Sequence, residues 1–464
     1  MQKCSHAIVA VLVAAAVGLT TGCKSLFSKS DLERQAEKLS IDCAQNPPIR
    51  TDFRDDLKTI ESQGPIDPSG QPCGQVASDP KLKLGSVRTG KWTNYFPDGV
   101  KVQSTGEFQK NRKAGEWMTY FPGGYLSKRQ FFTDHKLDGA ETTYFDQPGE
   151  IWKTQGSYRE GKKQGRWQEL LSPEASCVTE GSYDQGKKNG RWRECQKDPQ
   201  AQNIYLAFDG GYEGNLRSGA AKFYYPNGVL QMDCAFKADH PCVSKTRDEL
   251  EKKKAKDPKA LIDLDDPKNY QGCSKPKGRW VLYHDTGSKY SEGSFDNEGR
   301  RQGIWTENYK NGSLAATGDY AAGKKKGFWV FYEKDGTKVV GVEFQPNGLI
   351  PKAIQTFEGN RVTGTGDAIL GSIKYDMEKD VLERRAFQKN GMWVEYHSDG
   401  RKSGEGEYSM DKRRGPWKFY DAGGNVIAEG PFSMGEKQGV WREKENGQFK
   451  ETKYFMGKPQ KTGF

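Results

Sequence analysis

One unit recurs along this chain and fixes what it can fold into: G-x-W-x-x-Y-x-x-x-G, then five or six residues, then G-x-[FY] and a basic turn containing Gly. Clear copies open at Gly90-Lys91-Trp92, Gly115-Glu116-Trp117, Gly165-Arg166-Trp167, Gly190-Arg191-Trp192, Gly278-Arg279-Trp280, Gly303-Ile304-Trp305, Gly327-Phe328-Trp329, Gly391-Met392-Trp393, Gly415-Pro416-Trp417 and Gly439-Val440-Trp441. Weaker copies open at Gly139, where Glu141 replaces the Trp, and at Gly219, where Ala221 does. From Gly90 to Gly190, from Gly278 to Gly327 and from Gly391 to Gly439 these anchors lie 24, 25 or 26 residues apart, and Gly219 follows Gly190 by 29. Each unit holds two short aromatic segments between turn sequences such as Phe96-Pro97-Asp98-Gly99 and Gly161-Lys162-Lys163-Gln164-Gly165. Two strands per unit with such punctuation is the pattern of successive hairpins. The Gly two places before each Trp shares its strand face, so it is expected to leave room for a neighbouring ring over bare backbone.

The pattern resembles the bacterial variant of the MORN (membrane occupation and recognition nexus) repeat over residues 80–233, 278–348 and 387–457. The resemblance implies an all-β fold, an elongated single-layer antiparallel β-meander of repeated hairpins, used to bind proteins or lipids. Composition agrees with a thin structure. Only 34% of residues are apolar, while there are 55 Gly and aromatics reach 12%, so large rings must replace a thick aliphatic core.

The first residues read as an export signal, 1–22, with Lys3 ahead of an apolar run, Ala7 to Leu19, too short for a resident helix across a bilayer. Thr20-Thr21-Gly22-Cys23 resembles a lipobox, with Thr20 where Leu, Val or Ile is preferred, and the resemblance implies acylation of Cys23. The alternative is a signal cut elsewhere and a soluble secreted protein. Lys24 is not the Asp that marks inner-membrane retention, so a cell-envelope, outer-membrane lipoprotein is expected. Of nine cysteines, seven remain after Cys4 and Cys23 are set aside. Cys43 with Cys73 is a plausible bridge, Cys234, Cys242 and Cys273 allow only one, and Cys177 and Cys195 flank one repeat turn.

Three stretches interrupt the repeats. Residues 23–79 read as a lipidated polar tether with a short helix from Ser30 to about Leu39, opened by Ser30-Asp31-Leu32-Glu33. Residues 234–277 read as a charged, Cys-containing insert with a helix over Thr246 to Lys256. Residues 349–390 read as degenerate repeat around Gly364 and Gly366 plus a helical piece near Tyr375 to Arg385, before repeats resume over 391–464.

No G-x-S-x-G elbow, P-loop, H-E-x-x-H or CxxC is present. No enzyme, cofactor or metal is therefore expected, and His284 and His397, each directly after its unit's Tyr, read as turn variation. The net charge of +10 is concentrated at one place, the turn before each G-x-W: Arg112-Lys113, Lys162-Lys163, Lys187-Lys188, Arg300-Arg301, Lys324-Lys325-Lys326 and Lys412-Arg413-Arg414. Stacked hairpins would set these turns about 9.6 Å apart along one edge, a basic rail suited to anionic ligands. The alternative is that they only keep the turns soluble. The leading reading is a non-catalytic envelope scaffold for a protein, glycan or anionic lipid, held to the membrane by its lipid and not facing nucleic acid. Its rivals are a cell-wall hydrolase with a site in 349–390 and an antitoxin or immunity-like protein.

Overall fold

The computed structural model describes residues 29–68, 70–256, 273–344, 351–369 and 371–460. The expected signal segment and Cys23 lie outside the described residues. Two compact units divide the chain between Lys187 and Lys188. Each is an antiparallel β-meander in which most strands pair with the next in sequence. The fold is all-β, built hairpin by hairpin with few helices.

Two turn chemistries make the hairpins. At the basic end, both central residues of a two-residue turn have positive φ, as in Asp134 (49°) and His135 (69°), or Glu160 (50°) and Gly161 (81°). This is the type I′ geometry, whose twist matches that of paired strands. At the other end the amide of a Gly three residues on closes the turn, as when Gly99 donates to the Phe96 carbonyl at 2.9 Å and Gly124 to that of Phe121 at 2.8 Å.

The Gly of G-x-W is not the one beneath a ring. Gly115, Gly303 and Gly415 have φ of 62°, 65° and 64°, and each sits in a β-bulge. Trp117, for example, pairs with Gly106 while Glu107 pairs with Ala114, leaving Gly115 and Glu116 as the extra residues. Positive φ is what this Gly supplies. The bare backbone belongs to the Gly of G-x-[FY] on the preceding strand. A Cβ added to Gly106, Gly156, Gly293, Gly318, Gly406 or Gly430 would come within 2.1–2.4 Å of the ring of Trp117, Trp167, Trp305, Trp329, Trp417 or Trp441. The indole N–H then donates to the carbonyl of the next residue along: Trp117 to Glu107 at 3.0 Å, Trp329 to Asp319 at 2.9 Å and Trp417 to Glu407 at 2.9 Å. Each ring is thereby held at its face and its polar edge, and Trp92, Trp329 and Trp441 have no exposed surface.

The tether reading is corrected for residues 29–79. After the helix Lys29–Glu37, strands Leu39–Asp42, Ile49–Phe53 and Ile60–Asp67 pair with one another, and the last also pairs with Gly90–Tyr95 of the first repeat. Gly64-Pro65 serves as a further copy of the Gly element: the ring of Trp92 lies over Gly64, and its N–H donates to the Pro65 carbonyl at 2.8 Å. Helices Cys73–Ser78 and Pro80–Leu84, inserted between Gly64 and Trp92, hid that match by lengthening the spacing. Ile66, Val76, Trp92, Phe108 and Trp117 form one core, so this segment caps the array. Asp52, nearly buried, accepts from Arg50 at 2.6 Å, Arg88 at 2.9 Å and Ser62 at 2.9 Å. A Cys43–Cys73 disulfide ties the cap together.

In the second unit the strand Leu230–Ala238 continues the meander into the expected insert, and the helix begins at His240 and ends at Lys256. Cys242 and Cys273 are bridged, while Cys234 is a buried thiol. Cys195 of this unit, like Cys177 of the first, does not titrate because it is in a disulfide. Strands Pro351–Glu358 and Arg361–Ile369 supply the degenerate unit around Gly364 and Gly366. The helical piece near Tyr375 to Arg385 is instead a hairpin, Ser372–Asp376 with Val381–Arg385. Its period is two: Ile373 and Tyr375 are buried while Ser372 and Lys374 are exposed. Tyr375 packs edge-on against Tyr309 at 5.2 Å, and Asp380 accepts from the Lys310 amide at 2.8 Å and the Tyr375 hydroxyl at 2.7 Å.

If residues 39–79 are a folded cap, opening its disulfide must cost stability. For a loop of this length, Cys43→Ser with Cys73→Ser should destabilise the cap by about 3–4 kcal/mol, read as a lower midpoint in denaturant. An unchanged midpoint would return the segment to a tether.

Candidate functional site: the cation-capped ladder and its turn edge

The basic residues divide into two sets according to strand position. The residue four places before an anchor Trp lies on the same strand face and reaches back across the bulge to cover the ring. Arg88, Lys113, Lys163, Lys188, Arg301, Lys325, Lys389, Arg413 and Lys437 stand 4.5, 4.1, 4.0, 4.3, 4.4, 4.1, 4.5, 4.7 and 4.5 Å from the ring centres of their tryptophans. These nine serve nine of the ten anchor tryptophans, the exception being Trp280, where Pro276 holds that place. The rings of Trp92, Trp117, Trp167, Trp305, Trp329, Trp393, Trp417 and Trp441 are therefore closed by Gly backbone and by a cation–π lid. Burial lowers the pKa of Lys113, Lys325 and Lys389 from the ordinary lysine value.

Of the cations nominated from sequence, Lys163, Lys188, Arg301, Lys325 and Arg413 are thus lids, as is Lys113. The others, Lys162, Lys187, Arg300, Lys324, Lys326, Lys412 and Arg414, are exposed on the turn edge of their unit, as is Arg112. Arg300 is paired with Asp296 at 2.9 Å, and Arg112 with Asp134 at 2.5 Å. The turns are joined to one another. The second turn residue donates its amide to the carbonyl of the preceding unit's lid residue: His135 to Lys113 at 2.8 Å, Gly323 to Arg301 at 2.9 Å, Gly435 to Arg413 at 3.0 Å. Asn111, Asn215 and Asp411 also return a side-chain oxygen to the lid residue's amide at 2.6, 2.7 and 2.8 Å. The edge is therefore a hydrogen-bonded row in the first unit, and in the second the turns from Lys389 to Gly457 form another such row.

A second regularity was missed from sequence although it is written there. Where the residue two after the Trp is an acid (Glu169, Glu194, Glu307, Glu395, Glu443), the unit's G-x-[FY] position is Tyr (Tyr183, Tyr212, Tyr320, Tyr408, Tyr454). Where it is Asn94, Thr119, Phe223, Leu282, Phe331 or Phe419, the position is Phe (Phe108, Phe132, Phe236, Phe295, Phe344, Phe432). The physical cause is a buried hydroxyl that needs an acceptor. Tyr212 donates to Glu194 at 3.0 Å, Tyr408 to Glu395 at 2.6 Å and Tyr454 to Glu443 at 2.8 Å. Lys188, Arg413 and Lys437 complete the networks by pairing with those carboxylates. Burial, and then the adjacent carboxylate, push Tyr212 and Tyr408 up to about 12. Where Phe stands instead, as at Phe419, the ring stacks on Trp417 at 5.7 Å.

On the opposite edge, His284 and His397 each place Nε2 against a backbone carbonyl of the next unit, Asn308 at 2.9 Å and Tyr420 at 2.7 Å. The Tyr309 hydroxyl donates to the Tyr332 carbonyl at 2.8 Å from the same place in its unit. Glu141, in a Trp position, accepts from Gln130 and Tyr158. Among the described residues, no three or more His, Cys, Asp or Glu side chains are grouped to hold a metal ion, and no helix is long and apolar enough to cross a membrane.

Ladder and edge together define a repeat protein of the antiparallel β-meander class. A family model described as the MORN repeat variant matches residues 217–238, so the chain contains MORN-repeat sequence. That match falls on the unit whose Trp is replaced by Ala221. No curated protein matches the chain. Among solved structures, the chain is similar to that titled "Crystal Structure of TcdB2-TccC3", at 10% identity and a TM-score of 0.13, over 89% of this chain and 25% of that one. It is also similar to "Crystal Structure of TcdB2-TccC3 without hypervariable C-terminal region", at 12% identity and 0.13, over 88% and 21%. The chain thus spans about a quarter of the length of these structures, and the scores are too low to carry an argument.

The two sets of cations make separable predictions. Lys325→Gln removes a lid and should cost about 0.5–2 kcal/mol, whereas Lys324→Gln, one residue away on the exposed edge, should stay within about 0.5 kcal/mol. Urea titrations of both variants measure the difference, and equal losses would mean that the lid contributes nothing.

Proposed function

We propose that this chain is a non-catalytic binding scaffold of the bacterial cell envelope, anchored by an acyl group on Cys23 and presenting its repeats to a protein, glycan or anionic-lipid partner. One observation carries the reading: exposed cations recur at the turn before the Trp in successive repeats, on turns hydrogen-bonded to the neighbouring repeat. Such a row gives an anionic partner many weak, equivalent contacts in place of one deep pocket. The Gly22-Cys23 pair behind a short apolar segment supports the anchor and the outer-membrane location. The carboxylates of the 349–390 segment support a non-catalytic role, since Asp376, Asp380 and Glu383 are tied to Lys379, Lys334 and Lys374 at 3.5, 2.7 and 2.9 Å.

Exposed ion pairs contribute only about 0–1 kcal/mol each, so binding must depend on how many edge cations remain. Lys324→Gln alone should weaken binding to isolated envelope fractions only slightly. Lys324→Gln, Lys326→Gln, Lys412→Gln and Arg414→Gln together should weaken it steeply, and raised salt should mimic the change. If the fourfold variant binds like the unmodified protein at low salt, these cations only keep the turns soluble and the proposal fails.

A further inference from the structure

The turn edge changes character along the chain. At the first place of the two-residue turns, the earlier repeats carry Lys110, Asp134, Glu160 and Gln185, whereas three late turns carry Met410, Met434 and Met456. The three Met have φ of 45°, 49° and 44°, the same left-handed conformation as Lys110, Glu160 and Gln185 at 50°, 50° and 48°, so the turn does not call for Met. They are also 64, 78 and 70% exposed, and Phe455 beside the last is 54% exposed. Neither turn conformation nor burial accounts for a thioether repeated at this place.

Between the first two of these tips lies an open groove of about 550 Å³, lined by Met410, Phe432 and Met434 together with Lys412, Arg413 and Arg414. A corresponding groove in the other unit lies between the turns at Lys110 and Asp134 and holds the matching cations Arg112 and Lys113. There Asp67 and Asp134 line the groove as well, and Asp134 pairs with Arg112. Met434 occupies the place that Asp134 has in its own turn. The exchange removes the internal counter-ion and substitutes an apolar wall. Arg413 is engaged as the lid of Trp417 and with Glu395. Among the described residues, Lys412 and Arg414 make no ion pair, so they are the cations this groove offers.

We propose that this late stretch of the edge docks an acidic, apolar segment of a partner protein. Carboxylates of the segment would meet Lys412 and Arg414, and its apolar side chains would enter between Met410, Phe432 and Met434. Met is unbranched and polarisable, and it moulds to irregular protein surfaces. A groove recessed between tips receives side chains of a chain laid across the turns, whereas a flat bilayer surface would meet only the tips. This inference rests on the turn edge being the binding surface proposed above, and it names the partner chemistry of one part of it.

The test uses the whole protein and a fluorescein-labelled soluble peptide of mixed Glu and Leu, followed by fluorescence anisotropy. Control peptides carry Gln for Glu or Ser for Leu, and phosphatidylglycerol vesicles are titrated in parallel. Met410→Asn, Met434→Asn and Met456→Asn are combined in one variant, because Asn accepts positive φ and keeps the turns intact. A second variant combines Lys412→Gln with Arg414→Gln. The Glu–Leu peptide should bind the unmodified protein and bind either variant at least about tenfold more weakly, and both control peptides should bind weakly. Near-ultraviolet circular dichroism of the tryptophans should be unchanged in both variants. Equal affinity of the triple-Asn variant would overturn the proposal, as would Met-dependent binding of the vesicles with no binding of the peptide. Peptide binding that survives triple Asn but is lost in the fourfold edge-cation variant would sink this inference and leave the broader reading standing.

Discussion

An indole lying flat against the backbone of a glycine on the neighbouring strand is the contact from which the rest of this structure follows. A sheet one layer thick has no second layer to bury its side chains, and this chain is only 34% apolar. The solution is to close each ring locally. Glycine backbone covers one face, a carbonyl takes the indole N–H, and the lid cation four residues earlier covers what remains. The lid in turn needs the two-residue turn and the bulge that bring it over the ring, and these need glycine, or a residue tolerating positive φ, at defined places. Each Trp is therefore buried by the G-x-[FY] segment and the basic turn that come just before it, a nearest-neighbour dependence that lets an array be lengthened or interrupted without redesigning a core.

The same local logic explains where the repeats differ. When Trp gives way to Glu141, the lid position holds Leu137, and Gln130 and Tyr158 supply the donors a buried carboxylate requires. When Ala221 replaces Trp, Phe208 packs beside it, and Cys234 stands where other units have the covering Gly. The thiol of Cys234 is buried and pushed up to about 12, by burial and then by Asp233, which leaves it an inert packing residue. Arg217 still stands 4.8 Å over Phe223 in that unit, so the lid outlives the ring it normally covers.

Much of this was legible in the sequence because the period is short and its punctuation strong. The hairpins, the meander and the row of basic turns all follow from spacing and turn residues. Other features were hidden for physical reasons. The two glycines of the unit do opposite jobs, one through φ and one through the missing Cβ, and spacing alone does not separate them. One cation of each basic turn faces inward because a bulge brings its side chain across the Trp face, and spacing alone does not show the bulge. The Glu–Tyr pairing was readable, but only by comparing units with one another instead of with a consensus. Gly64-Pro65-Ile66 looked like tether because two helices separate it from Trp92. The stretch near Tyr375 to Arg385 reads as helical, although the buried residues of its first strand alternate.

The ring-over-glycine contact is tested most directly by a double-mutant cycle on Gly406 and Trp417, measured by equilibrium denaturation. Gly406 has no positive φ, so its backbone accepts alanine and only the ring stands in the way. The account predicts that Gly406→Ala is strongly destabilising beside Trp417 but nearly neutral in a Trp417→Leu background, with a coupling of about 1–3 kcal/mol. Equal losses in both backgrounds would mean that the glycine serves the backbone and not the ring, and the central claim would be wrong.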